Sequence, residues 1–329
     1  MKAVIVTAAG GPEVLEYADA PDPVAGPGEV VVKVDAAGVN FIDTYRRSGV
    51  YKMDYPYIAG DEGSGRVASV GPGVSSEVKE GDPVAWASAP GSYAEYVAVK
   101  EDQLLPVPEG MDMKAAGALP MQGLTAHYLC RSIFPINEGH VALVHAAAGG
   151  VGGLLTQMIT SHGGRVIGTA GTPEKAEIAK GYGASDVILY TEIPADELTT
   201  ELPRRVRALA GGGVDVVFDG VGKTTFDASL ASLKVRGMMV LFGGSSGQVP
   251  PFDLQRLNSA GSLFITRPTL AHYTLTRDET LWRAGEVFGQ AASGQLKVPI
   301  GREFPLVEAA DAHRALESRQ TTGKVILVP

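Results

Sequence analysis

The sequence predicts an α/β fold in which a doubly wound parallel sheet is inserted in a barrel-like β domain. Three observations predict it. Up to about residue 120 the chain holds many short apolar runs cut by Gly and Pro, the texture of a small β-barrel. From Met111 onward, apolar runs of four or five residues alternate with stretches of helical period, which marks βαβ units. After Thr266 that alternation stops, and the tail is expected to return to the first domain because the parallel sheet is already complete. The expected division assigns 1–120 and 267–329 to the β domain and 121–266 to the parallel-sheet domain.

In order along the chain, residues 1–6 read as a first strand, closed at once by Thr7 and Gly10-Gly11-Pro12 and too short for a signal segment. Strands at 30–34, 64–70, 83–86, 93–99 and 104–108 follow, separated by Ala25-Gly26-Pro27-Gly28, Gly71-Pro72-Gly73 and Gly81-Asp82. Residues 115–131 carry helical spacing. Strands at 141–144, 165–168, 186–189, 214–218 and 238–242 then alternate with helices at 151–162, 173–182, 198–210 and 224–232. Phe264-Ile265 reads as a sixth, edge strand. The tail reads as a helix at 278–293, a strand at 298–304, a helix at 307–318 and a last strand at 324–328.

The 329 residues are 45% hydrophobic and 20% charged, a globular balance that argues against disorder. A net charge of −9 with no basic stripe disfavours binding to a phosphate backbone, so no nucleic-acid partner is expected. Cys130 is the single cysteine, which rules out an intrachain disulfide and a cysteine-rich metal site. No run approaches the ~18 apolar residues of a membrane span, and a cytoplasmic enzyme is expected.

The strand at 141–144 runs into His145-Ala146-Ala147-Ala148-Gly149-Gly150-Val151-Gly152 and then into a helix. Ala147-x-Gly149-x-x-Gly152 fits the dinucleotide fingerprint with Ala in its first place. The chemistry calls for that pattern. The chain must turn tightly out of the strand, and the middle glycine admits the backbone to the pyrophosphate. The last glycine lets helix and sheet close up, while the helix N-terminus offers N–H donors and partial positive charge. A bare Gly-rich loop is the alternative, but the strand before it and the βαβ pattern after it favour a Rossmann site built from Ala147, Gly149, Gly150, Val151 and Gly152.

An NAD site places Asp or Glu at the tip of the second strand, some twenty residues on, for the ribose 2′-OH. Here that tip is Ala170-Gly171-Thr172-Pro173-Glu174-Lys175, with no acid at the strand end. Gly171, Thr172 and Lys175 suit a 2′-phosphate, which favours NADPH. Thr172 also reads as the N-cap of the helix opened by Pro173, and Lys175 alternatively as a solvated helix residue.

Gly38-Val39-Asn40-Phe41-Ile42-Asp43-Thr44-Tyr45 and Gly60-Asp61-Glu62-Gly63-Ser64-Gly65 resemble two signatures of the medium-chain dehydrogenase/reductase superfamily. In its zinc-dependent branch a Cys precedes the acid of the first signature and a His precedes the Glu of the second; this chain has Asn40 or its neighbours and Asp61 in those places, so no metal is expected. Gln122-Gly123-Leu124-Thr125-Ala126, Ala146 to Gly152 and Thr266-Arg267-Pro268-Thr269-Leu270 extend the resemblance to the whole chain. It is similar to the quinone oxidoreductase, or zeta-crystallin-like, family. One departure is Gly244, where that family would place Asn. The resemblance implies a GroES-like catalytic domain carrying a Rossmann NADPH domain.

The resemblance implies further site residues. Asn40 and Tyr45 would line the place of acceptor and nicotinamide; the alternatives are a helix N-cap for Asn40 and a packing aromatic for Tyr45. Tyr51, in a loop with Tyr55 and Tyr57, would offer an aromatic wall or simply pack on its own loop. Asp43 reads as a structural carboxylate. Thr125 would touch the cofactor, or cap and pack its helix. Lys175, Tyr190 and Arg319 resemble the 2′-phosphate and adenine pocket, although Arg319 beside Glu317 also reads as a solvated cation. Phe242, Ser245 and Ser246 follow the fifth strand and would cover the nicotinamide by backbone contacts.

The expected reaction is NADPH-dependent reduction of a quinone, because an activated carbonyl needs only hydrogen-bond donors and a reduced nicotinamide. Reduction of the C=C bond of an alkenal or enone is the alternative within that class. A structural or RNA-binding NADPH protein is the alternative outside it, and the net charge of −9 weighs against the RNA form. Residues 261–266 are expected to pair with a second copy, giving a homodimer.

Overall fold

Aliphatic and β-branched runs build the parallel sheet. In the computed structural model, which describes residues 1–318 and 321–329, the strands Asp186–Leu189, Arg165–Ala170, Val141–Val144, Val214–Asp219, Leu233–Leu241 and Phe264–Thr266 lie side by side in that order. Every neighbouring pair runs parallel. Chain order across the sheet is 3-2-1-4-5-6, so direction reverses between Val141–Val144 and Val214–Asp219, where a doubly wound sheet opens its ligand crevice. Each residue of Val214–Asp219 is buried. A strand covered on both faces has no solvent side to make polar, hence the unbroken Val216-Val217-Phe218 at its centre, between Asp215 and Asp219. Leu143, Ile167, Val217 and Met239 pack there with Leu202, Val206 and Phe226 from the helices Leu198–Ala210 and Phe226–Ser232.

The chain divides into two compact units, residues 125–275 around this sheet and residues 1–124 with 276–329. In the second, among the described residues, one sheet orders Ile300–Pro305, Lys324–Val328, Glu29–Val39, Gly63–Val70, Pro83–Trp86 and Leu105–Pro106, with Tyr96–Lys100 also paired to Glu29–Val39. Lys324–Val328 is internal to it, antiparallel to Glu29–Val39 with Val325 opposite Val39 and Ile326 opposite Gly38. A smaller sheet joins Leu15–Asp19, Lys2–Val6 and Tyr57–Ile58. Val30, Val32, Trp86, Tyr93, Phe304 and Leu327 belong to the core of this unit. The tail therefore supplies two strands to the β unit, and the α/β fold class holds.

Differences from the expected elements have local causes. Leu15–Asp19 escaped notice because only Leu15 is buried, which leaves no apolar alternation. Glu29–Val39 runs past 34 because Ala36, Ala37 and Gly38 are small rather than branched, yet they are paired and buried. Leu233–Leu241 starts before 238 through the exposed Lys234, Val235 and Arg236, with an irregular register against Val214–Asp219. The helical run at 115–131 is cut into Met113–Ala118, Pro120–Tyr128 and a wider turn at Leu129–Ile133. Proline at 120 lacks the N–H to continue a helix but suits the start of one. Among the described residues no helix is long and apolar enough to cross a membrane.

Candidate active site

Glu29–Val39 ends where the helix Phe41–Arg47 begins, and Asn40 stands between them in extended conformation. Its backbone N–H donates to Asp43 Oδ2 at 2.8 Å, so Asp43 reaches back from the first turn. Asn40 is the N-cap of that helix, in a capping box with Asp43, and its side chain also meets two buried charges. Nδ2 donates to Glu62 Oε1 at 2.6 Å, and Oδ1 accepts from Lys324 Nζ at 2.7 Å. Lys324 Nζ also donates to Glu62 Oε1, and Met121 N–H donates to Glu62 Oε2 at 2.7 Å. Asn40, Glu62 and Lys324 are all buried. Gly38 makes room for them: a Cβ there would strike Glu62 Oε1 and lie 2.7 Å from Lys324 Cε.

Behind Asp43 lies a buried relay. Tyr93 O–H donates to Asp43 Oδ2 at 3.0 Å, His313 Nε2 lies 3.3 Å from Tyr93 Oη, and Arg47 Nη1 lies 3.0 Å from His313 Nδ1. Arg47 also donates to Glu317 at 2.6 Å. The guanidinium can only donate, so His313 accepts on Nδ1 and donates from Nε2 to Tyr93. Burial, reinforced by the neighbouring Arg47 charge, holds the imidazole down at about 3. Burial pushes the Asp43 carboxyl up to about 6, against the pull of the Asn40 N–H, the Tyr93 hydroxyl and Lys324. Asp43 Oδ1 has no hydrogen-bond partner among the described residues, which fits a carboxyl that favours its neutral form.

Tyr45 is half-buried on Phe41–Arg47, and the exposed Tyr51 meets it edge-on, ring centroids 5.9 Å apart. Tyr51 N–H donates to Tyr45 O at 3.1 Å, which fixes the loop to the helix. Tyr55 and Tyr57 pair with each other instead. Of the positions where the zinc branch has Cys and His, Asn40 is engaged as above and Asp61 pairs with Arg46. Among the described residues no group of three or more His, Cys, Asp or Glu side chains is placed to hold a metal.

In the other unit, Val141–Val144 ends at His145, and the helix Gly150–Ser161 starts with Gly149 as its N-cap. Ala146 takes the left-handed conformation, φ 51°, an uncommon choice for a residue with a side chain. It is pinned there. Gly149 N–H donates to Ala146 O at 2.8 Å, and Ala147 N–H donates to Thr169 O at 3.1 Å. A Cβ on Gly152 would collide with Ala146 O and lie 2.9 Å from Ala146 C. The last glycine of the fingerprint thus does what its spacing predicts. The first-turn N–H groups of Gly150–Ser161 lack intrahelical acceptors, and a dinucleotide diphosphate fits that end.

His145 anchors this turn from beneath. Its Nδ1 lies 3.1 Å from Thr169 Oγ1 and its Nε2 2.9 Å from Ser229 Oγ, and Ser229 donates to Asp219 Oδ2 at 2.8 Å. Asp219 further accepts from Thr225 Oγ1 and from the N–H groups of Val221 and Gly222. Burial holds His145 below its ordinary value despite Asp219 4.0 Å away. A neutral ring, donating to Ser229 and accepting from Thr169, satisfies every group in the chain.

At the tip of Arg165–Ala170, Thr172 caps the helix Pro173–Gly181, its Oγ1 accepting Lys175 N–H at 3.3 Å. Partial burial lowers the Lys175 ammonium. Tyr190 follows Asp186–Leu189 and leans over Gly171, where a Cβ would stand 2.8 Å from its hydroxyl. Gly171, Thr172, Lys175 and Tyr190 therefore share one corner. After Leu233–Leu241, Phe242 N–H donates to Asp219 O at 2.9 Å, Ser245 N–H to Gly220 O at 3.2 Å and Ser246 N–H to Val221 O at 2.8 Å. Those amides serve the loop itself. Thr125 is half-buried within Pro120–Tyr128, away from its start. Arg319 lies outside the described residues.

Sequence reasoning missed Glu62 and Lys324 beside Asn40, and the His145–Asp219 network beneath the glycine turn. A signal existed for Lys324, a cation opening the apolar strand Lys324–Val328. Nothing in the sequence tells that it meets a residue near position 40.

Residues 26–109 match the family described as alcohol dehydrogenase GroES-like domain, and residues 182–327 match zinc-binding dehydrogenase. The chain is similar to quinone oxidoreductase of Pseudomonas aeruginosa, 42% identical with 100% of this chain and 99% of the relative covered. Among solved structures it is similar to a mycobacterial protein complexed with NADPH, with 49% identity, TM-score 0.96 and both chains covered fully. It is also similar to Escherichia coli quinone oxidoreductase complexed with NADPH, with 39% identity, TM-score 0.95 and both chains covered fully.

Proposed function

The chain belongs to the quinone oxidoreductase family of the medium-chain dehydrogenase/reductases, and on that premise we propose that it is an NADPH-dependent enzyme that reduces quinones. The observation that carries the reading is Asn40. At or beside the place where the resemblance puts a thiolate ligand of the zinc branch, this chain has an amide held by Glu62 and Lys324, a hydrogen-bond donor for a carbonyl rather than a ligand for a metal. A donor of that kind suffices for an acceptor whose carbonyl is already electron-poor. Tyr45 and Tyr51 offer the flat acceptor an aromatic edge and face.

NADPH is the cofactor, and when bound it supplies the reducing equivalents. Gly149, Gly150, Val151 and Gly152 bind the diphosphate at the start of Gly150–Ser161, with Ala147 at the tight turn. Thr172 and Lys175 bind the 2′-phosphate, with Tyr190 beside the adenine; Arg319 belongs to the same assignment. Thr125, Phe242, Ser245 and Ser246 are assigned to the nicotinamide end.

NADPH oxidation measured with 1,4-benzoquinone, a naphthoquinone and a set of enones tests the reading. The expected result is a larger kcat/KM for the quinones; turnover confined to the enones refutes it in favour of C=C reduction. In equilibrium titration, Lys175→Ala should weaken NADPH by about tenfold, roughly one charge-assisted contact, and leave NADH unaffected. Equal losses for both coenzymes would remove Lys175 from the phosphate corner.

The enzyme is assigned as a homodimer joined at the free edge of the parallel sheet. Phe264–Thr266 is the terminal strand of that sheet, and Phe264 and the neighbouring Val235 are 56% and 67% exposed. Pairing two such edges satisfies open backbone groups and covers both side chains. Light scattering should give twice the 34.2 kDa chain mass, and Ile265→Pro, which breaks the edge strand, should give the single mass. A wild-type monomer ends the assignment.

A further inference from the structure

Lys324 and Glu62 form an ion pair at 2% and 0% exposure. A pair so deep adds little net stability, because desolvation offsets its attraction. Its geometry, however, is directional. Lys324 Nζ donates to Asn40 Oδ1 and to Glu62 Oε1, while Asn40 Nδ2 donates to that same Oε1. Glu62 cannot swing away, since its Oε2 accepts the Met121 N–H. An ammonium only donates and a carboxylate only accepts, so of the two flipped arrangements of the Asn40 amide just one is compatible: oxygen toward Lys324, nitrogen toward Glu62. That arrangement uses one Nδ2–H and leaves the second.

We propose that Lys324 and Glu62 are positioning residues that lock the Asn40 amide, so that its remaining N–H is a fixed hydrogen-bond donor to the carbonyl oxygen of the acceptor. This rests on the reading of the site given above. A donor held before the reaction costs no reorganisation as negative charge grows on that oxygen. A flipped amide would present its own oxygen there and repel the charge. Gly38 belongs to the device, because any Cβ at that position would displace both Glu62 and Lys324.

The test uses the full-length enzyme and the double variant Lys324→Met/Glu62→Gln, which removes both charges and leaves no orphaned ion. The chain has three asparagines, Asn40, Asn137 and Asn258, so selective 15N-asparagine labelling gives three side-chain amide pairs, with Asn40→Ala identifying the relevant one. In wild type that pair should show widely separated proton shifts and slow exchange. In the double variant the separation should collapse and exchange accelerate. kcat should fall by about tenfold to a hundredfold, more for a weakly activated naphthoquinone than for benzoquinone, with NADPH affinity unchanged. Rates are read with whichever acceptor wild type reduces. Turnover of enones but not quinones defeats the quinone reading while this proposal is still judged on the enone. An amide pair unaltered in the double variant, a collapsed pair with wild-type kcat, or equal losses for all acceptors overturns the proposal.

Discussion

Gly152→Val should abolish measurable NADPH binding at coenzyme concentrations that saturate wild type, a loss of at least about a hundredfold, or roughly 2.7 kcal/mol. Gly152 lies in the first turn of Gly150–Ser161, and an added Cβ meets the carbonyl of Ala146 at a distance no carbon and oxygen tolerate. Ala146 cannot retreat. Its carbonyl holds the Gly149 N–H, its amide lies 3.3 Å from Thr169 Oγ1, and Thr169 is tied to the buried His145. The helix must therefore move off the strand end, and its first N–H groups leave the place where the diphosphate binds. Gly285, where a Cβ meets nothing within 4 Å, is the matched control and should accept alanine with affinity intact. Fluorescence titration of NADPH, with circular dichroism to verify folding, reads the outcome. A folded Gly152→Val enzyme binding NADPH within a few-fold of wild type would remove the glycine turn from the coenzyme site.

The second large effect is on acid stability. His313 is held at about 3 in the fold against an ordinary 6.5. Below pH 6.5 the unfolded chain takes up a proton there that the folded chain refuses, so stability falls as pH drops toward 3 and is unaffected by this group above 6.5. At full extent the change is about 5 kcal/mol. Asp43 acts in the opposite sense. Its carboxyl, raised from 3.8 to about 6, binds a proton in the fold that the unfolded chain has released, so stability falls as pH rises between those values. Comparing variants separates the two. Glutamine can accept from Arg47 and donate to Tyr93 without titrating. His313→Gln should be less stable than wild type at pH 7, and its deficit should shrink by about 4 kcal/mol toward pH 3.5. Urea unfolding across that range provides the measurement, and a pH-independent deficit would mean that His313 titrates normally in the fold.

Much of this enzyme was legible in the chain because local chemistry reports local geometry. The central strands of the parallel sheet had to be mainly apolar, since both faces are covered, and Val141 to Val144 and Val216 to Phe218 appear as such. The Ala147-x-Gly149-x-x-Gly152 turn could be read because backbone approach allows no side chain at Gly152, a constraint visible in a single residue type. Thr172 was legible as an N-cap, and the lack of an acid at that strand tip indicated NADPH. Elements built of small residues, such as Ala36 to Gly38, were harder, because their burial follows from partners and not from hydrophobicity.

The residues around Asn40 divide the same way. Sequence by itself placed Asn40 at a strand–helix junction, and the surrounding motif suggested a place among the acceptor-binding residues. It offered that side chain as a helix cap, a partner of the nicotinamide ribose or a donor to the acceptor, with no means to choose. Tertiary structure brings Lys324 beside Asn40 through the pairing of Val325 with Val39, and Glu62 beside both. Asp43 completes the capping box through the Asn40 backbone. A periodic pattern or a glycine turn is a property of neighbouring residues, whereas the orientation of a buried amide depends on which charges face it, and only the folded sheet brings those together.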